Sequence, residues 1–100
     1  MASTDPLALP TTRAVWEARL RSGHRIRFRP DLIADRWLVD LWSKAGTQIL
    51  GGEPLVVSAD LWAQYRARDV GFPTAALVVS GSDPTADLPL ADQDLTLREV

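Results

Sequence analysis

The sequence predicts an all-β domain, mainly antiparallel and built as a small barrel or sandwich, with one short helix near 58–68. Two observations carry this. Apolar segments are separated by turn chemistry every 8 to 12 residues, the spacing of a chain of short strands. Two segments, Arg25 to Arg29 and Trp37 to Trp42, alternate with the period of two that a half-buried strand requires. The chain has 100 residues, 46% hydrophobic and 24% charged. That is enough for a single domain with a modest core and too apolar for a disordered chain.

The elements follow in order. Residues 1–12 contain Pro6 and Pro10 and read as an extended arm; residues 13–100 form the single β domain. Segment 13–21 is open between strand and helix. Thr12 and Gly23 would cap a helix, whereas a strand would set Trp16, Ala18 and Leu20 against Val15, Glu17, Arg19 and Arg21. The alternation of Arg25 to Arg29, preceded by a Gly23 turn, favours a hairpin of 14–21 with 24–29. Pro30 and Asp31 end the second strand, and residues 32–36 form a loop. In Trp37 to Trp42, one face holds Trp37, Val39 and Leu41 and the other Leu38, Asp40 and Trp42. A Gly46 turn leads to a strand at 48–50, a bend or bulge at Gly51 and Gly52, and continued strand at 55–57. A helix is expected at 58–68, capped by Ser58, with Asp60 in its first turn and Arg66 and Arg68 in its last. Gly71, Phe72 and Pro73 stop it. A buried strand at 75–79, an acidic loop at 81–91 and a last strand at 94–100 complete the chain.

No catalytic constellation stands out, and no enzyme activity, cofactor or metal is expected. His24 reads as a solvated turn residue. Asp83, Asp87, Asp92 and Asp94 lack the spacing of a calcium loop and read as solvated turn carboxylates. The glycine pair at 51 and 52 is not followed by the Lys-Ser/Thr of a phosphate loop. The absence of Cys excludes disulfides and thiolate chemistry. No apolar run approaches the length of a membrane helix, and the start lacks the pattern of a secretion signal, so no membrane partner is expected. Net charge is −2, but residues 1–50 carry +3 and residues 51–100 carry −5, an asymmetry able to orient the domain against charged partners.

The most chemical feature is the arginine stripe Arg21, Arg25, Arg27 and Arg29. Guanidinium groups about 7 Å apart on one strand face could grip carboxylates of a protein or phosphates. Trp42 and Trp62 join them as interface candidates, because an exposed tryptophan anchors contacts. On this reading Arg27→Glu leaves folding intact and weakens assembly, and Val39→Asp unfolds the domain.

The order of segments carries a family resemblance. It runs from the arginine strand through Arg36-Trp37-Leu38-Val39-Asp40-Leu41, Ile49-Leu50-Gly51-Gly52-Glu53-Pro54-Leu55-Val56 and Asp60-Leu61-Trp62-Ala63-Gln64-Tyr65-Arg66. Gly71-Phe72-Pro73, Val78-Val79, Asp83-Pro84 and a final leucine-rich strand follow. This succession resembles the baseplate plug proteins of contractile-tailed phages, of the cyanophage type, over residues 13–100. The first segment carries more arginine than is usual there, and Gly71 stands where a glycine pair is common. The resemblance implies a virion structural protein of a phage or phage-like tail. Such a protein sits in the baseplate hub as a plug and closes the tail-tube lumen before ejection. Its partners would be hub and tail-tube proteins and other copies of itself, with nucleic acid limited to the genome passing nearby. It would be assembled in the host cytoplasm and end in the virion tail baseplate. The alternative is a small β-barrel module binding single-stranded nucleic acid through the arginine strand.

Overall fold

The computed structural model describes residues 6–66 and 71–100. Four strands, β1 (Trp16–Arg19), β2 (Arg25–Asp31), β3 (Arg36–Trp42) and β4 (Gln48–Pro54), form one antiparallel sheet in chain order. A four-residue helix, α1 (Ala63–Arg66), follows, and β5 (Leu77–Gly81) and β6 (Leu95–Glu99) pair antiparallel as a second sheet. The class is all-β as expected, built as two sheets with no closed barrel among the described residues.

Segment 13–21 resolves to a strand. β1 pairs with β2 in a one-to-one register, Trp16 with Phe28 and Ala18 with Ile26, and Gly23 takes φ 94° in the turn between them. Ile26 and Phe28 of β2 and Trp37, Val39 and Leu41 of β3 are fully buried. They meet Leu77, Val79, Leu95 and Leu97 of the second sheet in one core, with Leu55, Leu61, Trp62, Phe72 and Leu90 packed between. The Trp37 indole N–H donates to Thr85 O at 2.9 Å, satisfying the ring's one polar atom inside the core.

The irregularity expected at the glycine pair is present as register shifts between β3 and β4. The strand does not resume at 55–57, however. Leu55 still donates to Trp37 O, but Val56 and Val57 are exposed and the Val57 N–H turns to the Asp83 carboxylate. The helix also differs from expectation. Ser58 exchanges two backbone hydrogen bonds with Val79, so it extends the second sheet and does not cap. The polar start of the turn belongs to Asp60, whose Oδ1 accepts the Trp62 N–H at 3.0 Å, and helix begins only at Ala63. Residues 67 and 68, the expected end of the helix with Arg68, lie outside the described residues. The strand expected at 75–79 runs two residues later, 77–81, because Gly81 pairs with Leu95 in the ladder. At Gly81, φ is 108° and a Cβ would lie 2.2 Å from Asp94 O, so only glycine fits.

The segment before β1 is tied to the last strand: Leu7 N–H donates to Leu97 O, and Pro10 O accepts the Ala91 N–H. At the opposite end of β2, the turn into β3 is held by two aspartates. Asp31 accepts the Ala34 N–H and pairs with Arg36; Asp35, at φ 52°, accepts from the Thr85 hydroxyl and the Ala86 N–H.

Candidate functional site

The outer face of β2 carries Arg25, Arg27 and Arg29 because these alternate with the buried Ile26 and Phe28. The register places Arg25 across from Trp42, Arg27 across from Asp40 and Arg29 across from Leu38. Asp40 is 1% exposed and is the centre of this face. Its Oδ2 accepts from Arg27 Nε at 2.9 Å and Arg29 Nε at 2.8 Å. Its Oδ1 accepts from Arg29 Nη2 at 3.2 Å and from the Gly52 N–H at 2.8 Å. Gly52 turns that N–H inward with φ 71°. Strands β2, β3 and β4 therefore meet at one carboxylate.

The stripe is thus not a row of freely projecting side chains. Arg27 and Arg29 keep about a third of their side-chain surface exposed (32% and 37%) while their Nε atoms are bonded inward. Trp42, half-buried, lies against Arg27 and Arg25: Arg27 Cζ lies 4.8 Å and Arg25 Cζ 5.3 Å from its ring centroid, within cation–π range. Arg25 also lies 3.9 Å from Glu17. The result is a cationic surface whose guanidinium planes are pre-positioned, so less side-chain entropy is lost on contact with an anionic partner.

Two candidates fall elsewhere. Arg21 faces the end of β6. Its backbone N–H donates to both Glu99 carboxylate oxygens and its Nη2 donates to Glu99 O, which ties the first hairpin to the last strand. Trp62 is 1% exposed and packs beside Phe72 with ring centroids 6.0 Å apart; it is a core residue, not a surface anchor. His24 is also more engaged than a solvated turn residue. Its Nε2 donates to Gly71 O at 2.7 Å, and its Nδ1 lies 2.7 Å from the Ser22 hydroxyl. Of the acidic loop, Asp83 binds the Val57 N–H and Asp94 accepts from the Ser82 hydroxyl.

Sequence reasoning placed Asp40 on the outer face of β3 but missed its role. The signal available was one acidic residue directly flanked by apolar ones and paired with an arginine strand. The second such centre, Asp60, was also missed. Its carboxylate pairs with Arg66 and accepts the Trp62 and Leu77 N–H groups, while Arg66 donates to Pro73 O and Ala75 O.

These carboxylates make stability pH-dependent. Burial opposes the charge of Asp40, but hydrogen bonds from Arg29, the Gly52 N–H and Arg27 outweigh it and hold the carboxyl below its usual range. In Asp60 burial is likewise outweighed, by Arg66 and the Trp62 and Leu77 N–H groups. Hydrogen bonds from Thr85 and Ala86 lower Asp35. A carboxyl whose folded value is depressed stabilises above its unfolded value, near 4, and that contribution is lost as pH falls through the folded value. The thermal midpoint is therefore expected to stay level from about pH 7 to about pH 5 and to fall steadily below about pH 4. Circular dichroism melts would check this, and a midpoint unchanged at about pH 2 would refute it.

Fold and site together define a small all-β protein whose Asp40 and Asp60 carboxylates are engaged in bonds that hold its strands and turns together. Residues 22–97 match the family model described as cyanophage baseplate Pam3 plug gp18, and the chain belongs to that family. The match runs from β2 into β6, and so includes Arg25 to Arg29, Asp40 and Trp42. No curated protein and no solved structure matches the chain. The protein is therefore a structural component of a phage tail baseplate, a plug that interacts with other baseplate or tail proteins.

Proposed function

We propose that the protein sits in the baseplate hub and closes the tail-tube lumen before ejection. It has no catalytic role in this reading, and it joins the baseplate in the host cytoplasm. Residues 13–100 act as one rigid domain and residues 1–12 as its arm. The docking surface is the face formed by Arg25, Arg27, Arg29 and Trp42, set against an acidic wall of the hub or tube. One observation supports this above the rest: three guanidinium groups are locked in place by Asp40 and Trp42 yet remain partly exposed. Contacts of this charged, part-solvated kind are individually weak. Contraction can then break them one after another.

Arg27→Glu is no longer a clean test, because it sets a second carboxylate against the buried Asp40. Arg25→Glu is cleaner, since among the described residues the Arg25 side chain makes no bond to Asp40; it meets Glu17 and the Trp42 ring and lies across from Arg19. It is expected to melt close to the unaltered protein and to lower co-assembly with hub and tube components about tenfold. A normal assembly yield would remove the arginine face as the contact. Binding to single-stranded nucleic acid gains little support, because the Trp42 ring that would stack a base already carries two arginines. Retention of a DNA oligomer at low salt, lost steeply as salt rises, would revive it.

A further inference from the structure

β1 is the one edge of the two sheets that is left regular and unpaired among the described residues. The outer side of β6 is taken by Leu7, and that of β5 by Ser58. β4 is broken by register shifts, ends at Pro54 and commits the Gly52 N–H to Asp40. Among the described residues β1 pairs only with β2, and Glu17 and Arg19 are exposed along it.

The direction of its backbone groups follows from the ladder. Leu20 N–H donates to His24 O, and the one-to-one register continues through Ala18 with Ile26 and Trp16 with Phe28. In an antiparallel pair, hydrogen-bonded and non-bonded positions alternate. Glu17 and Arg19 therefore turn their N–H and C=O groups away from β2. Arg21, the next residue of that parity, does the same, and its N–H is already held by the Glu99 carboxylate. An open edge of this kind is a template for another strand.

We propose that the edge pairs with the β1 edge of a second copy, antiparallel about a two-fold axis at Ala18. In that register Glu17 of each copy lies directly across from Arg19 of the other. They exchange both backbone hydrogen bonds, and their side chains meet on the same face. The segment is thus self-complementary in charge. Sliding the register by one pair toward either end sets Glu17 against Glu17 or Arg19 against Arg19, and like charges directly opposite are unfavourable. Ala18 at the axis offers no bulk to hold the strands apart. Arg19 has no ion pair among the described residues, whereas Glu17 has only the 3.9 Å contact with Arg25. The two sheets would join into one of eight strands, with the arginine faces of both copies on the same side. The pairing is independent of what that face docks against.

Sedimentation equilibrium of the full chain at low salt tests this. The unaltered protein is expected to be a dimer. Arg19→Glu and Glu17→Arg alone should each weaken it by about tenfold or more, with circular dichroism confirming that both remain folded. The double variant, Glu17→Arg with Arg19→Glu, should recover the dimer. A mixture of the two single variants should form a heterodimer, because it restores opposite charges across the contact. Arg19→Glu places a carboxylate near Arg25, so it does not threaten the fold even if Glu17→Arg does. A monomer at all concentrations, or a dimer indifferent to the reversals, would overturn the proposal. Either result would leave the arginine face untouched, because that is tested separately by Arg25→Glu in baseplate co-assembly.

Discussion

Val39→Asp is expected to leave no cooperatively folded protein. Val39 is fully buried in the centre of β3, across from Phe28 and Glu53 in the two flanking ladders, with its side chain in the apolar core. A carboxylate there would have no cationic partner. Burying it, or protonating it to avoid burying a charge, costs upward of about 4 kcal/mol. A domain of this size holds only on the order of 5–10 kcal/mol in total. Soluble yield and the loss of a sigmoidal thermal melt would report the result. A folded variant with a normal melt would mean that the core is not where Val39 lies.

Asp40→Ala is expected to cost about 2–3 kcal/mol, even though the neighbouring position rejects a carboxylate outright. The contrast is one of partners. Asp40 is as buried as the core residues but meets two guanidinium groups and a backbone N–H. Removing it leaves the Gly52 N–H without its acceptor and two arginines without their shared anion. The arginines are about a third exposed and can turn toward water, so the loss stays below that of a fully enclosed ion pair. Asp40→Asn keeps one oxygen for Gly52 and should fall between. Urea titrations would measure both. A loss under about 0.5 kcal/mol for Asp40→Ala would show that the carboxylate is incidental. In the same variant the fall in stability on acidification should be shallower.

How much was legible depended on whether local pattern and tertiary pairing agreed. β2 and β3 were readable because Arg25 to Arg29 and Trp37 to Trp42 alternate strictly, and a half-buried sheet rewards that pattern at each residue. The kink at Gly51 and Gly52 was readable from two residues without side chains. Ser58 was misassigned because a serine before an apolar run has the local chemistry of a cap. Its pairing with Val79, 21 positions further on, leaves no trace in the neighbouring residues. Trp62 illustrates the same limit: a tryptophan announces a large apolar surface, but only packing against Phe72 decides that it is interior. The arginine stripe was found, yet its arrangement was not. The alternation showed which way the arginines point, and the anion that orients them lies 11 and 13 positions away on the next strand.

The ties made by Leu7 to Leu97 and by Arg21 to Glu99 have a consequence for how the molecule comes into being. The first four strands are joined by short hairpins, so each can zip up as soon as it emerges from the ribosome. The segment from Leu7 to Pro10 has nowhere to settle until β6 and the turn before it have been synthesised. The N-terminal side of the domain is therefore the last to be fastened, and a lesion in β6 is felt in the segment before β1.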